Sequence, residues 1–202
     1  MSRSSSSAHG SLPIILASSS VYRQQILQRL GLSFTVHAPD IDEAVAADES
    51  AERAVLRLAE EKARAVGSHY DHGLIIGADQ LSEQNDQILG KPIDHDHAVL
   101  QLKSASGSSA VLHTAVAVFN PASGRLQSDL EQVEVECRQL SEEEILRYLE
   151  ADQPYNCCGS IKVESLGIAL LKSIRSDDPN AITGLPVIKL LRMLRNEGIA
   201  LP

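Results

Sequence analysis

Tryptophan is absent from the 202-residue chain, and aromatic residues make up only 3% of it. Any core must therefore be aliphatic, and the stacking platform of a single-strand nucleic-acid binder has no raw material. Basic residues are in deficit as well: 18 Lys and Arg stand against 27 Asp and Glu, leaving a net charge of −9. That field repels long polyanions and excludes polynucleotide binding, while a small anion can still bind where a few cations converge. Cysteine is scarce, three in all, with Cys157 and Cys158 adjacent. The pattern makes neither a disulfide framework nor a CxxC metal pair and fits a reducing cytoplasm. No apolar run approaches the roughly 20 residues of a membrane span. Residues 1–11 lack the apolar segment of a secretory signal and read as a disordered, Ser-rich tail. P-loop, GxSxG and HExxH motifs are missing too.

What remains is the material of one globular domain, 43% hydrophobic and 22% charged, large enough to fold without a covalent or metal staple. The apolar run at 12–17 reads as a buried strand. Ser18, Ser19 and Ser20 then cap a helix over 21–30 that Gly31 stops. Residues 34–36 read as a strand and lead to an acidic loop containing Asp40, Asp42 and Glu43. Ser50 opens a long helix whose apolar positions run from Ala51 to Val66. A buried strand at 74–77 ends in Ala78, Asp79 and Gln80. Gly90-Lys91-Pro92 is a rigid turn, and Asp94 caps the next helix. Two strands at 110–119 and 126–137 form a hairpin, and Ser141 with Glu144 forms a capping box. Short strands are expected at 161–163 and 168–171. A last helix starts near Pro186 and ends at Gly198. Helices interleaved with both βα units and hairpins predict an α/β domain with a mixed sheet.

Three residues fit this scheme poorly. Arg23 is a cation in the first turn of a helix, where the macrodipole is positive. With Ser18, Ser20 and the helix N–H groups it suits a phosphate; otherwise the serines merely cap and Arg23 reaches solvent. Lys62 shares a face with Val55, Leu58 and Val66, so it must snorkel or meet an anion. Asp79, placed just beyond its strand, is a candidate metal ligand or general base, or else a turn-forming residue. Glu43 is a second carboxylate able to share a divalent ion with it. The pairs His69 with His72 and His95 with His97 have metal-like spacing but sit among exposed polar residues and read as solvated surface.

These fragments, in order, resemble the Maf (septum-formation) family of nucleoside triphosphate pyrophosphatases from residue 12 to the C-terminus. The matching pieces are Leu16-Ala-Ser-Ser-Ser-Val-Tyr-Arg23, Asp42-Glu43, Glu61-Lys62-Ala63, Ile75-Ile-Gly-Ala-Asp-Gln80, Gly90-Lys-Pro92, His113-Thr114, Gly159-Ser-Ile-Lys162, Asp178-Pro-Asn and Gly184-Leu-Pro186. The resemblance implies a single α/β, inosine-triphosphatase-like domain over 12–202, with a mixed central sheet flanked by helices, acting as a cytoplasmic homodimer. It implies hydrolysis of a nucleoside triphosphate to monophosphate and pyrophosphate with a divalent cation, Mg²⁺ or Mn²⁺. Asp79 would be the proton acceptor, Arg23, Lys62 and Lys91 would contact phosphates alongside Ser18 and Ser20, and Glu43 would join Asp79 at the metal. Where the family often has two consecutive arginines, Gln24 follows Arg23, which puts more of the phosphate-binding charge on Arg23. Base choice in the family is set at positions matching Tyr22, Gln80 and Lys162. Gln80 and Lys162 resemble the 7-methyl-GTP branch, which often carries Trp where this chain has Tyr22. The alternatives are the dTTP/UTP branch and a non-catalytic nucleotide-binding regulator of septum formation.

Overall fold

The computed structural model describes residues 12–201. In chain order the elements are β1 (Ile14–Ala17), α1 (Val21–Arg29), β2 (Phe34–Val36), α2 (Ala51–Gly67), β3 (Leu74–Gln84), β4 (Gln87–Leu89), α3 (His95–Ala105), β5 (Ser109–Asn120), β6 (Arg125–Cys137), α4 (Glu142–Asp152), β7 (Leu171–Arg175) and α5 (Val187–Asn196). The strands form one sheet in the order β2-β1-β3-β5-β6-β7, with β4 paired to β3. β2, β1 and β3 are mutually parallel, and the β3–β5, β5–β6 and β6–β7 pairs are antiparallel. The mixed α/β sheet is the one expected.

Alternation along the central strands divides the core between two faces. Leu16, Leu74, Ile76, Val116 and Val118 face α1 and α5, meeting Ile26, Leu27, Leu190 and Leu194. Ile15, Ile75, Ala115 and Ala117 face α2, meeting Val55, Ala59, Ala63 and Val66. On the α2 face Gly77 permits an unusually close approach, because a Cβ there would lie 2.1 Å from the Ala59 carbonyl oxygen. A third cluster joins α3 to α4 through Leu102, Ile145, Leu149 and Leu170.

Four features depart from expectation. β3 does not end at Gly77 but runs to Gln84, because β5 offers it an antiparallel ladder from Ile75 through Glu83. Asp79 therefore lies within a strand, not beyond one. β4 is absent from the sequence-based expectation; Asn85 and Asp86, both with positive φ, close a two-residue hairpin that returns the chain onto β3. Residues 161–163 form no strand, since positive φ at Gly159 and Ser160 turns the chain before any ladder can form. The strand expected at 168–171 begins only at Leu171, preceded by a 3-10 turn over Leu166–Leu170. Short apolar runs of this kind carry too little periodicity to separate the two.

Candidate functional site

β3 loses its neighbour on one edge just where the unusual residues lie. β1 pairs with β3 only as far as Ala17 opposite Gly77, and β4 takes up the pairing at Leu89 opposite Ser82. Residues 78–81 between them have no strand on that side. β1 leaves the sheet into Ser18 and α1 on one flank of this gap, and β4 leaves it into Gly90 and Lys91 on the other. The parallel-strand carboxyl end beside this gap is that of β1, not β3.

Adjacent residues of a strand point to opposite faces, so Asp79 and Gln80 serve different ones. Asp79 faces α2. There Lys62, only 5% exposed, places its Nζ 2.7 Å from Asp79 Oδ1 and 2.9 Å from Glu43 Oε2. The awkward lysine of the apolar stripe thus meets an anion rather than snorkelling. The close packing at Gly77 draws that turn of α2 against β3. Burial pushes the Asp79 pKa up, opposed by the charges of Lys62 and Arg23 and assisted by Glu43. The Asp79 carboxylate keeps its second oxygen without a protein donor among the described residues. Glu43, half-exposed on its loop, is held from the same helix. Arg57 of α2 bridges to Glu49 at 2.7 Å and donates to the Ala44 carbonyl at 3.0 Å.

Arg23 stands at the first flank. Ser20 caps α1 by accepting from the Arg23 backbone N–H. Ser18 Oγ, buried, accepts from the Ser20 N–H and from Arg23 NH1 at 3.2 Å. The guanidinium donates through Nε to the Gly184 carbonyl at 2.8 Å. Desolvation lowers its pKa, and the Asp79 and Glu43 charges oppose that; a guanidinium so placed stays charged. The serines therefore serve the helix end and the arginine together. Lys91 occupies the other flank, exposed and in no ion pair among the described residues. Its turn is pinned by the Gly159 N–H and by Gln101 Nε2, both donating to the Gly90 carbonyl. Burial raises the Cys158 pKa, and the charges of Lys91 and Asp79 act on the same thiol in opposite directions.

Gln80 faces the other way, toward a turn over Ala181–Thr183. Its Nε2 donates to Thr114 Oγ1 at 2.9 Å and to the Ala181 and Ile182 carbonyls at 3.0 and 3.2 Å. Its amide N–H groups are thus held by the protein and are not free for a base edge or sugar. Tyr22 and Lys162 adjoin one another: burial raises the Tyr22 pKa, and the Lys162 charge opposes it. Lys162 Nζ lies 3.8 Å from Asp152 Oδ1, and the Lys162 backbone N–H donates to the Tyr148 hydroxyl. The four histidines carry no metal cluster among the described residues: His69, His72 and His95 are exposed, His69 stacks on His37, and His95 meets Tyr155. The three cysteines are free.

Sequence reasoning missed the turn at 178–184 as an organiser. Asp178, 1% exposed, accepts from the N–H groups of Asn180 and Ile188 and fixes this turn to the start of α5. The turn then offers carbonyls to both Arg23 and Gln80. Asp178-Pro-Asn carried a turn signal, but nothing local revealed which side chains the turn would hold.

The Maf-like protein family profile matches residues 13–197. The chain belongs to the Maf family. It is 46% identical to the 7-methyl-GTP pyrophosphatase of Methylobacillus flagellatus over 187 residues, 93% of this chain and 97% of that protein. It is 47% identical over 189 residues to the protein of the same name from Pseudomonas savastanoi pv. phaseolicola, covering 94% and 98%. With that of Idiomarina loihiensis it shares 48% over 190 residues, covering 93% and 96%.

Proposed function

We propose that this Maf protein hydrolyses 7-methyl-GTP to 7-methyl-GMP and pyrophosphate. The observation that carries the reading is the gap in the β3 edge. A Lys62–Asp79–Glu43 cluster, its lysine and aspartate buried, lies on one face of it, and Arg23 and Lys91, two cations in no ion pair among the described residues, stand on its flanks. In a chain of net charge −9, cations left uncompensated around one opening form a local focus for a triphosphate. The names of the relatives support the base and the bond cleaved.

In this reading Asp79 accepts a proton from water through its free carboxylate oxygen. The water oxygen attacks the α-phosphorus, the bond from that phosphorus to the bridging oxygen breaks, and pyrophosphate leaves with the bridging oxygen. Burial supports the role, because a carboxylate whose pKa is raised is, in its ionised form, a stronger base. Lys62 holds Asp79 in place, and Arg23 and Lys91 offset the charge on the phosphates. The donor set fits a hard cation. Glu43 and Asp79 approach one ammonium within 3 Å, and no group of three or more His, Cys, Asp or Glu able to hold a metal exists among the described residues. Mg²⁺ or Mn²⁺ would be held by these two carboxylates and would supply charge neutralisation at the phosphates. The free cysteines support a reducing, cytoplasmic setting.

The test is a panel of nucleoside triphosphates scored for both products. Release of pyrophosphate and monophosphate, fastest from 7-methyl-GTP, is the expected result. Faster hydrolysis of dTTP or UTP would move the protein to the other branch. Binding without turnover would make it a regulator, and orthophosphate as the first product would overturn the chemistry.

A further inference from the structure

Lys62 stands between two carboxylates. Its Nζ lies 2.7 Å from Asp79 Oδ1 and 2.9 Å from Glu43 Oε2, and that ammonium makes no other hydrogen bond or ion pair among the described residues. One positive charge is thus shared by two negative ones, and Arg23 adds its charge without an ion pair to Asp79. The lysine is buried, so water does not readily replace these partners. The backbone beneath it is fixed. A Cβ at Gly77 would lie 2.1 Å from the Ala59 carbonyl oxygen and 2.8 Å from the Ala63 nitrogen, so the turn of α2 that carries Lys62 is packed directly on β3. Any change in what Lys62 contacts is therefore a change of its side chain, a flexible four-carbon stem.

We propose that Lys62 is a built-in competitor of the divalent cation, so that this protein takes up metal and triphosphate together rather than metal first. The inference rests on the function proposed above and adds an order of binding to it. A metal ion shared by Asp79 and Glu43 needs the same two carboxylates that the ammonium contacts, and two cations so close repel strongly in a poorly solvated site. Metal alone would leave a buried ammonium without a partner, which is costly. A triphosphate removes that cost, because its oxygens offer the ammonium another anion in the opening flanked by Arg23 and Lys91. Coupling of this kind is reciprocal: nucleotide strengthens metal binding as much as metal strengthens nucleotide binding.

The test titrates Mn²⁺ into the nucleotide-free protein, at mildly alkaline pH to keep the carboxylates ionised, and follows the paramagnetic signal of free Mn²⁺. Removing the competitor in Lys62→Met should tighten Mn²⁺ binding about tenfold over the wild type, and adding Glu43→Gln should abolish the gain. Unchanged or weaker binding in Lys62→Met would overturn the inference. A gain that survives Glu43→Gln would overturn it as well, since the metal would then lie elsewhere. Should Lys62→Met fail to fold, Lys62→Gln, which keeps a polar side chain but no charge, decides by the same comparison. Turnover supplies a second readout: the Mn²⁺ concentration for half-maximal rate should fall in the variant while KM for the nucleotide rises, whereas a merely damaged site raises both and refutes the competition. A wild type that cleaves no nucleoside triphosphate would remove the proposed function, while the titration, which needs no turnover, still decides the competition.

Discussion

The two faces of β3 at its open edge carry neighbouring residues held by different physics. On one face Asp79 meets Lys62 and Glu43, and charge dominates: a buried ammonium joins two carboxylates. On the other, Gln80 meets Thr114 and two backbone carbonyls, and neutral hydrogen bonds dominate. Charges in a poorly solvated setting interact strongly over several ångströms but with little regard for direction. Neutral amide hydrogen bonds are weaker and strictly directional. The first face is therefore held chiefly by charge, and the second by bond direction. Arg23 connects them, because its guanidinium feels the Asp79 charge while holding the turn that fixes Gln80.

The division is broken most severely by Asp79→Asn, which preserves shape and removes the base. Turnover should fall by roughly 10²–10⁴ with base preference and fold retained; near wild-type turnover in the folded variant would take Asp79 out of the mechanism. Lys62→Met should come next, since it strands a buried carboxylate. A loss of about 3–5 kcal/mol in urea unfolding at neutral pH is expected, as for one partner of a buried pair.

The same variant sharpens the pH comparison. The folded Asp79 pKa lies above its ordinary value, so the ionised form is lost as pH falls through that raised value. The acid limb of kcat/KM should therefore lie above the usual carboxylate range, and Lys62→Met should move it higher still. For stability the sign is reversed. A raised folded pKa contributes stability below the unfolded value and withdraws it as pH rises through the folded one. An acid limb unmoved by Lys62→Met would show that Asp79 does not control it.

The flanking cations follow in size. Arg23→Ala and Lys91→Ala should each raise KM about 10-fold or more, the worth of one hydrogen bond to a charged group. Arg147→Ala, on an exposed face of α4 beside Glu143, should change nothing measurable; equal effects at all three would dissolve the focused phosphate site. The smallest effect is expected on the neutral face. Gln80→Thr with Lys162→Gln should shift preference toward pyrimidine nucleotides with little change in pH profile or stability, read from the same nucleotide panel.

Much of this is legible in the order of the residues. The caps at Ser20, Ser50, Asp94 and Ser141 fall where local pattern places them, because capping is a contest among nearest neighbours. Lys62 announces itself by interrupting an apolar stripe, and Arg23 by opposing the helix dipole. The departure at Asp79 is one of strand length: its strand continues because β5 pairs with it, and nothing near Gly77 in the sequence reports that partner. The short strands expected at 161–163 and 168–171 fail for the same reason, since a few apolar residues take whichever form their neighbours permit.

The sequence by itself determined the helices and their caps, the aliphatic core and the residue types of the chemistry, because these rest on local periodicity and on the cost of burying charge. Tertiary structure alone decided three things: that one edge of β3 would be left open between Gly77 and Ser82, that Asp79 and Gln80 would serve opposite faces, and that a turn about 100 residues away would orient the Gln80 amide. Each depends on which distant segment pairs with β3 and where that pairing stops. Strand pairing is a long-range competition, settled by the whole sheet and not by the residues that use its gap.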